Sequence, residues 1–152
     1  MTIKRTNADD PDFKVLAAAL EAELKIRDGD DHAQYAAINK IDFLPHTVVA
    51  YIHNEPVGCG ALRHYTDTAI EMKRVFVTSA HRGKGIATAI ISVLEEWAAE
   101  LGYAECVLET GKNQPEAIQL YTKKGYQIIA NFGIYTNSEN SICFQKHLLN
   151  IP

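Results

Sequence analysis

The chain has 152 residues, of which 47% are hydrophobic and 22% charged, and its formal net charge is −4. That length suits one domain over residues 1–152, able to bury about two-thirds of its unfolded surface. The composition is that of a globular protein, and the acidic balance argues against nucleic acid as the main partner.

The opening residues, MTIKRTNADD, are polar and lack an apolar run, so no signal peptide is expected. No stretch reaches the length of a transmembrane helix, so no membrane is expected and a cytoplasmic place is. Residues 2 to 6 alternate polar and apolar and read as an edge strand. Asp10 and Pro11 read as the N-cap and first residue of a helix. Phe13, Leu16, Leu20 and Leu24 continue it at helical spacing, and it is expected to stop before Asp28. The acidic run Asp28-Gly29-Asp30-Asp31-His32 fails as a calcium loop. Ala33 and Asn39 stand where the loop needs Gly and Glu. A short helix or irregular piece is expected from His32 to Asn39.

Three strands follow. Thr47 to His53 is apolar on both faces and reads as a central strand. Asn54-Glu55-Pro56 reads as a turn. Pro56 to Tyr65 is the second strand, where Gly58 and Gly60 point to a bulge or a close backbone approach. Ala69 to Val77 is the third. Short connections imply an antiparallel meander. Next come a helix, a strand from Ala104 to Thr110, a second helix, a strand from Tyr126 to Ala130, a loop from Asn131 to Asn140, and a closing strand from Ser141 to Leu148. Within the loop, Phe132 and Tyr135 are the two aromatics.

The junction after the third strand carries the chemistry. Thr78-Ser79-Ala80-His81-Arg82-Gly83-Lys84-Gly85 leads into a helix whose apolar stripe is Ile86, Ile90, Val93, Leu94, Trp97 and Leu101, with Gly102 as C-cap. Two glycines at a helix N-terminus leave free N–H groups facing outward with the helix dipole behind them, an anion site suited to pyrophosphate. Arg82 and Lys84 add positive charge, which opposes the dipole unless an anion sits there. The bland alternative is a tight turn with two exposed basic residues. The P-loop pattern fails because Gly85 follows Lys84, and the Rossmann pattern fails at Thr88.

The same stretch resembles motif A of the GNAT superfamily of acetyl-CoA-dependent N-acetyltransferases. Arg82, Gly85 and Ala87 match every fixed position of that motif. Gln114 to Tyr126, with Tyr121 followed by Gly125 and Tyr126, resembles motif B, and Asn140 to Leu148 resembles the closing strand. The similarity runs roughly from residue 3 to 148.

The resemblance implies an α/β fold: a mixed, mostly antiparallel central sheet with helices on both faces. It implies acetyl transfer from acetyl-CoA to a primary amine by direct attack in a ternary complex, with no metal. It places Val75, Phe76 and Val77 along the coenzyme arm, with the Val75 N–H as oxyanion donor at a bulge. The pyrophosphate would lie on Arg82, Gly83, Lys84, Gly85, Ile86, Ala87 and Thr88. Tyr121 would be the acid that meets the leaving thiolate, and Glu71 the base. The alternative for Glu71 is an exposed strand carboxylate paired with Lys73 or Arg63. The alternative for Tyr121 is a packing aromatic. Asn113 or Thr110 would replace an asparagine that many members carry before motif B. The acidic run would rim the pocket of a cationic acceptor, and Phe132 and Tyr135 either wall that pocket or pack the core edge. A monomer or a homodimer is compatible with all of this. Rival functions are a non-catalytic acyl-CoA sensor, another acyl donor such as succinyl-CoA, and a protein-lysine acetyltransferase.

Cys59, Cys106 and Cys143 lie in apolar stretches without zinc spacing or an evident basic partner, which disfavours an acetyl-cysteine intermediate. The six histidines form no HxH or HxxxH pair and read as surface or satisfied residues.

Overall fold

The structure is a computed structural model that describes residues 1–28 and 44–148. The acidic run after Asp28 and the piece from His32 to Asn39 lie outside the described residues.

Seven strands form one sheet in the order β1-β2-β3-β4-β5-β7-β6. They are β1 (Thr2–Thr6), β2 (His46–Ile52), β3 (Glu55–His64), β4 (Ala69–Val77), β5 (Glu105–Gly111), β6 (Gln127–Ile129) and β7 (Ser141–His147). The described helices are α1 (Pro11–Asp28), α2 (Ile86–Glu100) and α3 (Pro115–Lys123). Every strand pair is antiparallel except β4 with β5, as the sequence pattern predicts. Among the described residues no helix is long and apolar enough to cross a membrane.

Several expectations hold in detail and several shift. Asp10 caps α1: its Oδ1 accepts from the backbone N–H of Asp12 at 2.9 Å and of Phe13 at 3.2 Å. The helix runs through Asp28 rather than stopping before it. The β2–β3 turn is His53-Asn54, both with positive φ (49° and 66°), and Glu55 already belongs to β3. A two-residue hairpin needs that left-handed geometry, which Asn tolerates better than most residues. The last strand does not lie at the sheet edge. It inserts between β5 and β6, leaving three-residue β6 outermost.

Two apolar layers sandwich the sheet. On one face α2 packs Ile86, Ile90, Ile91 and Leu94 onto Val48, Val57, Leu62 and Ile70. The buried side of α2 includes Ile91 and Ala98, while Leu101, expected to end the stripe, is 40% exposed. On the other face Phe13 and Leu16 of α1 pack onto Val49, Cys59, Ala61 and Phe76. The two β3 glycines let α2 close on the sheet. A Cβ at Gly58 would lie 2.8 Å from Ile90 Cδ1, and one at Gly60 would lie 2.7 Å from Leu94 Cδ1.

Opposite Gly60 the ladder slips. Cys59 pairs with Phe76 and Ala61 with Lys73, so Gly60 alone faces Arg74 and Val75. This is a β-bulge, and Arg74 takes its unusual backbone angle, φ 61°. The slip changes which residues share a face. Met72, Val75 and Val77 pack towards α2, while Phe76 joins the α1 layer.

The parallel pairing of β4 with β5 is brief. It covers Ala69 to Glu71 against Glu105 to Val107, and beyond it the ladder between the two strands ends. Glu71 therefore sits at the fork where the two strands part.

Candidate active site

Two cavities meet at that fork. The larger, about 460 Å³, follows the outer half of β4 and the turn into α2. The smaller, about 120 Å³, lies in the fork itself. Leu20, Leu24, Val75, Gln114, Ala117 and Tyr121 line both.

The larger cavity, a groove, is built by the junction between strand and helix. A single 3-10 turn over Ser79–His81 leaves β4, and Thr78 Oγ1 lies 3.0 Å from His81 Nδ1. Gly83 and Gly85 follow with φ of 77° and 81°, and a Cβ on either would meet nothing within 4 Å. The glycines are therefore required by backbone conformation and leave open space for a ligand. No side chain caps α2 and no acidic residue lies in its first turn, so its N-terminal N–H groups are available to an anion.

Of the residues predicted for the coenzyme, Val75, Phe76, Val77, Arg82, Gly83, Gly85, Ile86, Ala87, Thr88 and Tyr121 all line this groove. Lys84 and Asn113 are exposed and line neither cavity. At the end of β5 it is Gln114 that reaches both cavities, while Thr110 lines only the smaller one. Arg82 does not simply project outward: its Nε donates to the Val77 carbonyl at 2.9 Å and its guanidinium stacks over Phe76.

The smaller cavity holds buried polar residues, Glu71, Lys73 and Thr110. Glu71 is buried, with 6% of its surface exposed, which rules out the exposed carboxylate that the sequence left open. Tyr135 donates from its hydroxyl to Glu71 Oε2 at 2.6 Å, and Lys73 Nζ donates to the Tyr135 hydroxyl at 2.8 Å. Lys73 Nζ also lies 3.4 Å from Glu71 Oε2. Burial pushes the Lys73 ammonium below its ordinary pKa, against the pull of Glu71 and Glu109. Burial, then the Glu71 carboxylate, push the Tyr135 phenol up. On the far side Glu109 accepts from Ser141 Oγ at 2.5 Å. Of the two roles left open for Tyr135, it takes the pocket wall and the core at once, being 2% exposed.

Tyr121 stands at the junction of the two cavities, held by edge contact with Tyr126 and a tilted contact with Phe144. Its hydroxyl has no side-chain partner among the described residues. Burial, then the Glu109 charge, raise its pKa, so the phenol keeps its proton at neutral pH. The cysteines are buried thiols. Burial pushes Cys59 and Cys106 up to about 12 and Cys143 up to about 11, the opposite of what a nucleophilic thiol needs.

Glu109 and Gln114 are site residues that reading the sequence did not assign, while Lys73 was offered only as a surface partner of Glu71 and Tyr135 only as a pocket wall or core aromatic, not as members of one buried network. Lys73 shares the strand face of Glu71 two positions away, a signal available in the period of two. Tyr135 reaches Glu71 from 64 residues further along, and no local pattern marks it.

The sequence matches the Acetyltransferase (GNAT) family over residues 14–126. The chain belongs to the GNAT family of acetyltransferases. It is 36% identical to the IAA acetyltransferase of Azospirillum brasilense over 60% of this chain and 61% of that protein. A solved structure from Klebsiella pneumoniae, assigned as an acyl-CoA N-acyltransferase, superposes with a TM-score of 0.80 at 31% identity and covers 97% of both chains. An aminoglycoside 6'-N-acetyltransferase complexed with coenzyme A shares the fold, with a TM-score of 0.72 at 20% identity over 100% of this chain and 99% of that one. The chain spans 26% of the length of one curated relative and 61% of another. The GNAT fold expected from the sequence, a mixed and mostly antiparallel sheet with helices on both faces, is the one observed.

Proposed function

We propose that this GNAT protein transfers the acetyl group of acetyl-CoA to a primary amine by direct attack in a ternary complex. The observation that carries this reading is the meeting of the two cavities at Val75 and Tyr121. One cavity has the shape and the free helix N-terminus that a diphosphate-bearing coenzyme needs. The other holds a buried carboxylate beside the same two residues.

In this reading the α2 N–H groups from Ile86 to Thr88 and the Gly83-Lys84-Gly85 turn hold the diphosphate. Val77 binds the pantetheine arm as if it were an added strand. The bulge removes Val75 from the β3 register, and its N–H faces the thioester oxygen as charge builds there. Glu71 takes a proton from the ammonium of the acceptor, directly or through a water. The amine nitrogen then bonds to the carbonyl carbon, the C–S bond breaks, and the thiolate takes its proton at the Tyr121 hydroxyl. The nitrogen sheds its second proton as it becomes an amide, that proton makes good the one Tyr121 gave up, and Glu71 releases its own to solvent. Tyr135 and Lys73 hold the Glu71 carboxylate towards the cavity. Thiols held as high as those of Cys59, Cys106 and Cys143 support direct attack over an acetyl-enzyme.

The test is a pair of assays. A thermal melt with CoA, acetyl-CoA and ATP should show a rise of roughly 5–10 °C for the CoA species at about 100 times their dissociation constants, and little for ATP. A screen of primary amines should then show CoA release with acetyl-CoA. Stabilisation by acetyl-CoA without turnover on any amine would favour a sensor. No stabilisation by any CoA species would remove the coenzyme site.

A further inference from the structure

Four charged residues line the coenzyme groove: Glu23 and Arg27 from α1, Arg82 from the turn before α2, and Glu116 from α3. The two arginines converge on one carboxylate. Arg82 Nη2 lies 2.5 Å from Glu23 Oε2, and Arg27 Nη2 lies 3.7 Å from Glu23 Oε1. Arg27 is also tied to the start of α3, with its Nη1 3.3 Å from Glu116 Oε2. The chain of ion pairs therefore runs across the groove, from the α2 turn through α1 to α3.

Glu23 thus occupies a point in the groove with a guanidinium on either side, close to a helix N-terminus that carries no anion of its own. That is the environment a phosphate group takes. The pairs are open to water, with the Arg82 side chain 40% and the Glu23 side chain 29% exposed, so each is weak and exchangeable. A diphosphate carries more charge than a carboxylate and can accept from both arginines and from the α2 amides together.

Resting on the coenzyme reading above, we infer that Glu23 is an internal placeholder for a coenzyme phosphate, and that Arg27 is a second coenzyme-binding cation supplied by α1. On binding, Arg82 and Arg27 exchange the Glu23 carboxylate for phosphate oxygens. Glu23 sets how tightly the coenzyme is held, because its charge must be displaced each time. The sequence motif contains Arg82 but gives no sign of Arg27, which lies 55 positions earlier on another element.

Calorimetric titration with CoA at low and high salt tests this on the unaltered chain, Glu23→Gln and Arg27→Met. Glu23→Gln keeps the size of the side chain and should bind CoA roughly twofold to fivefold tighter in low salt. Arg27→Met should bind it weaker by a similar factor. Both differences should vanish near 1 M salt, where screening reaches about 3 Å, which a packing defect would not do. Glu23→Gln binding no tighter than the unaltered chain overturns the placeholder. Arg27→Met binding CoA as well as the unaltered chain overturns the second cation. If the unaltered chain binds no CoA, the coenzyme reading itself falls and this inference falls with it.

Discussion

Tyr135 donates its hydroxyl proton to Glu71 at 2.6 Å, joining the loop after β6 to the fork between β4 and β5. The same hydroxyl accepts from Lys73 at 2.8 Å. One oxygen thus ties a buried carboxylate to a buried ammonium at the base of the smaller cavity.

Tyr135→Phe removes that oxygen and little else. Glu71 and Lys73 each lose a partner in a buried site, which should cost about 1–3 kcal/mol of stability. If Glu71 is the base, turnover should fall about tenfold while CoA affinity stays the same. Denaturant melts and steady-state kinetics measure both. A stability loss with turnover unchanged would leave the network a purely structural one.

Tyr121→Phe tests the leaving-group role. The ring packs against Tyr126 and Phe144, and Phe preserves that packing. Turnover should fall about tenfold to a hundredfold, with the melting temperature nearly unchanged. Wild-type turnover, measured where chemistry limits the rate, would take Tyr121 out of the mechanism.

Gly60→Ala tests the close approach of α2 to β3. The new methyl would lie 2.7 Å from Leu94 Cδ1 and 3.0 Å from Ile90 Cγ2. Overpacking of this kind costs about 1–3 kcal/mol, or roughly 3–10 °C in melting temperature for a domain of this size. Because Gly60 faces the bulge, the Val75 N–H proposed as oxyanion donor should shift as well, and turnover should fall more than CoA affinity. An unchanged melting temperature would mean that α2 relaxes away freely.

The thiols give a pH prediction. Burial raises Cys59 and Cys106 from 9.0 to about 12 and Cys143 from 9.0 to about 11. A thiol whose folded value is raised contributes stability that is fully present below the unfolded value and lost as pH climbs through the folded one. Stability should therefore fall between pH 9 and about 12. At pH 8 a thiol reagent should label none of the three in the native chain and all three in denaturant. Fast native labelling of Cys143 would show that its strand opens.

Local chemistry made part of the site legible. Arg82, Gly85 and Ala87 lie within six residues, and the positive φ of Gly83 and Gly85 is a demand that only glycine meets cheaply. The uncapped helix end could be read because every atom of it comes from one short stretch. Lys84 shows the limit of such reading: it belongs to the motif by position, yet its side chain is exposed and lines neither cavity.

The smaller cavity was not legible in the same way. Glu71 was a candidate by position on its strand, but its burial depends on Tyr135, which is brought there by the loop between β6 and β7. The order of the last strands was not read from the sequence at all, because β7 enters between β5 and β6 and no local signal sets which neighbour a strand pairs with.

By itself the sequence determined the element types, the α1 cap at Asp10, the glycine turn before α2 and the GNAT family, all of which rest on the conformational needs of neighbouring residues. Only the tertiary structure decided that Glu71 is buried, that Gln114 rather than Asn113 reaches the cavities, and that Arg27 joins Arg82 across the groove. Those are contacts between distant parts of the chain. They exist because one bulge and one fork in the sheet bring α1, β4, β5 and α3 to a single point.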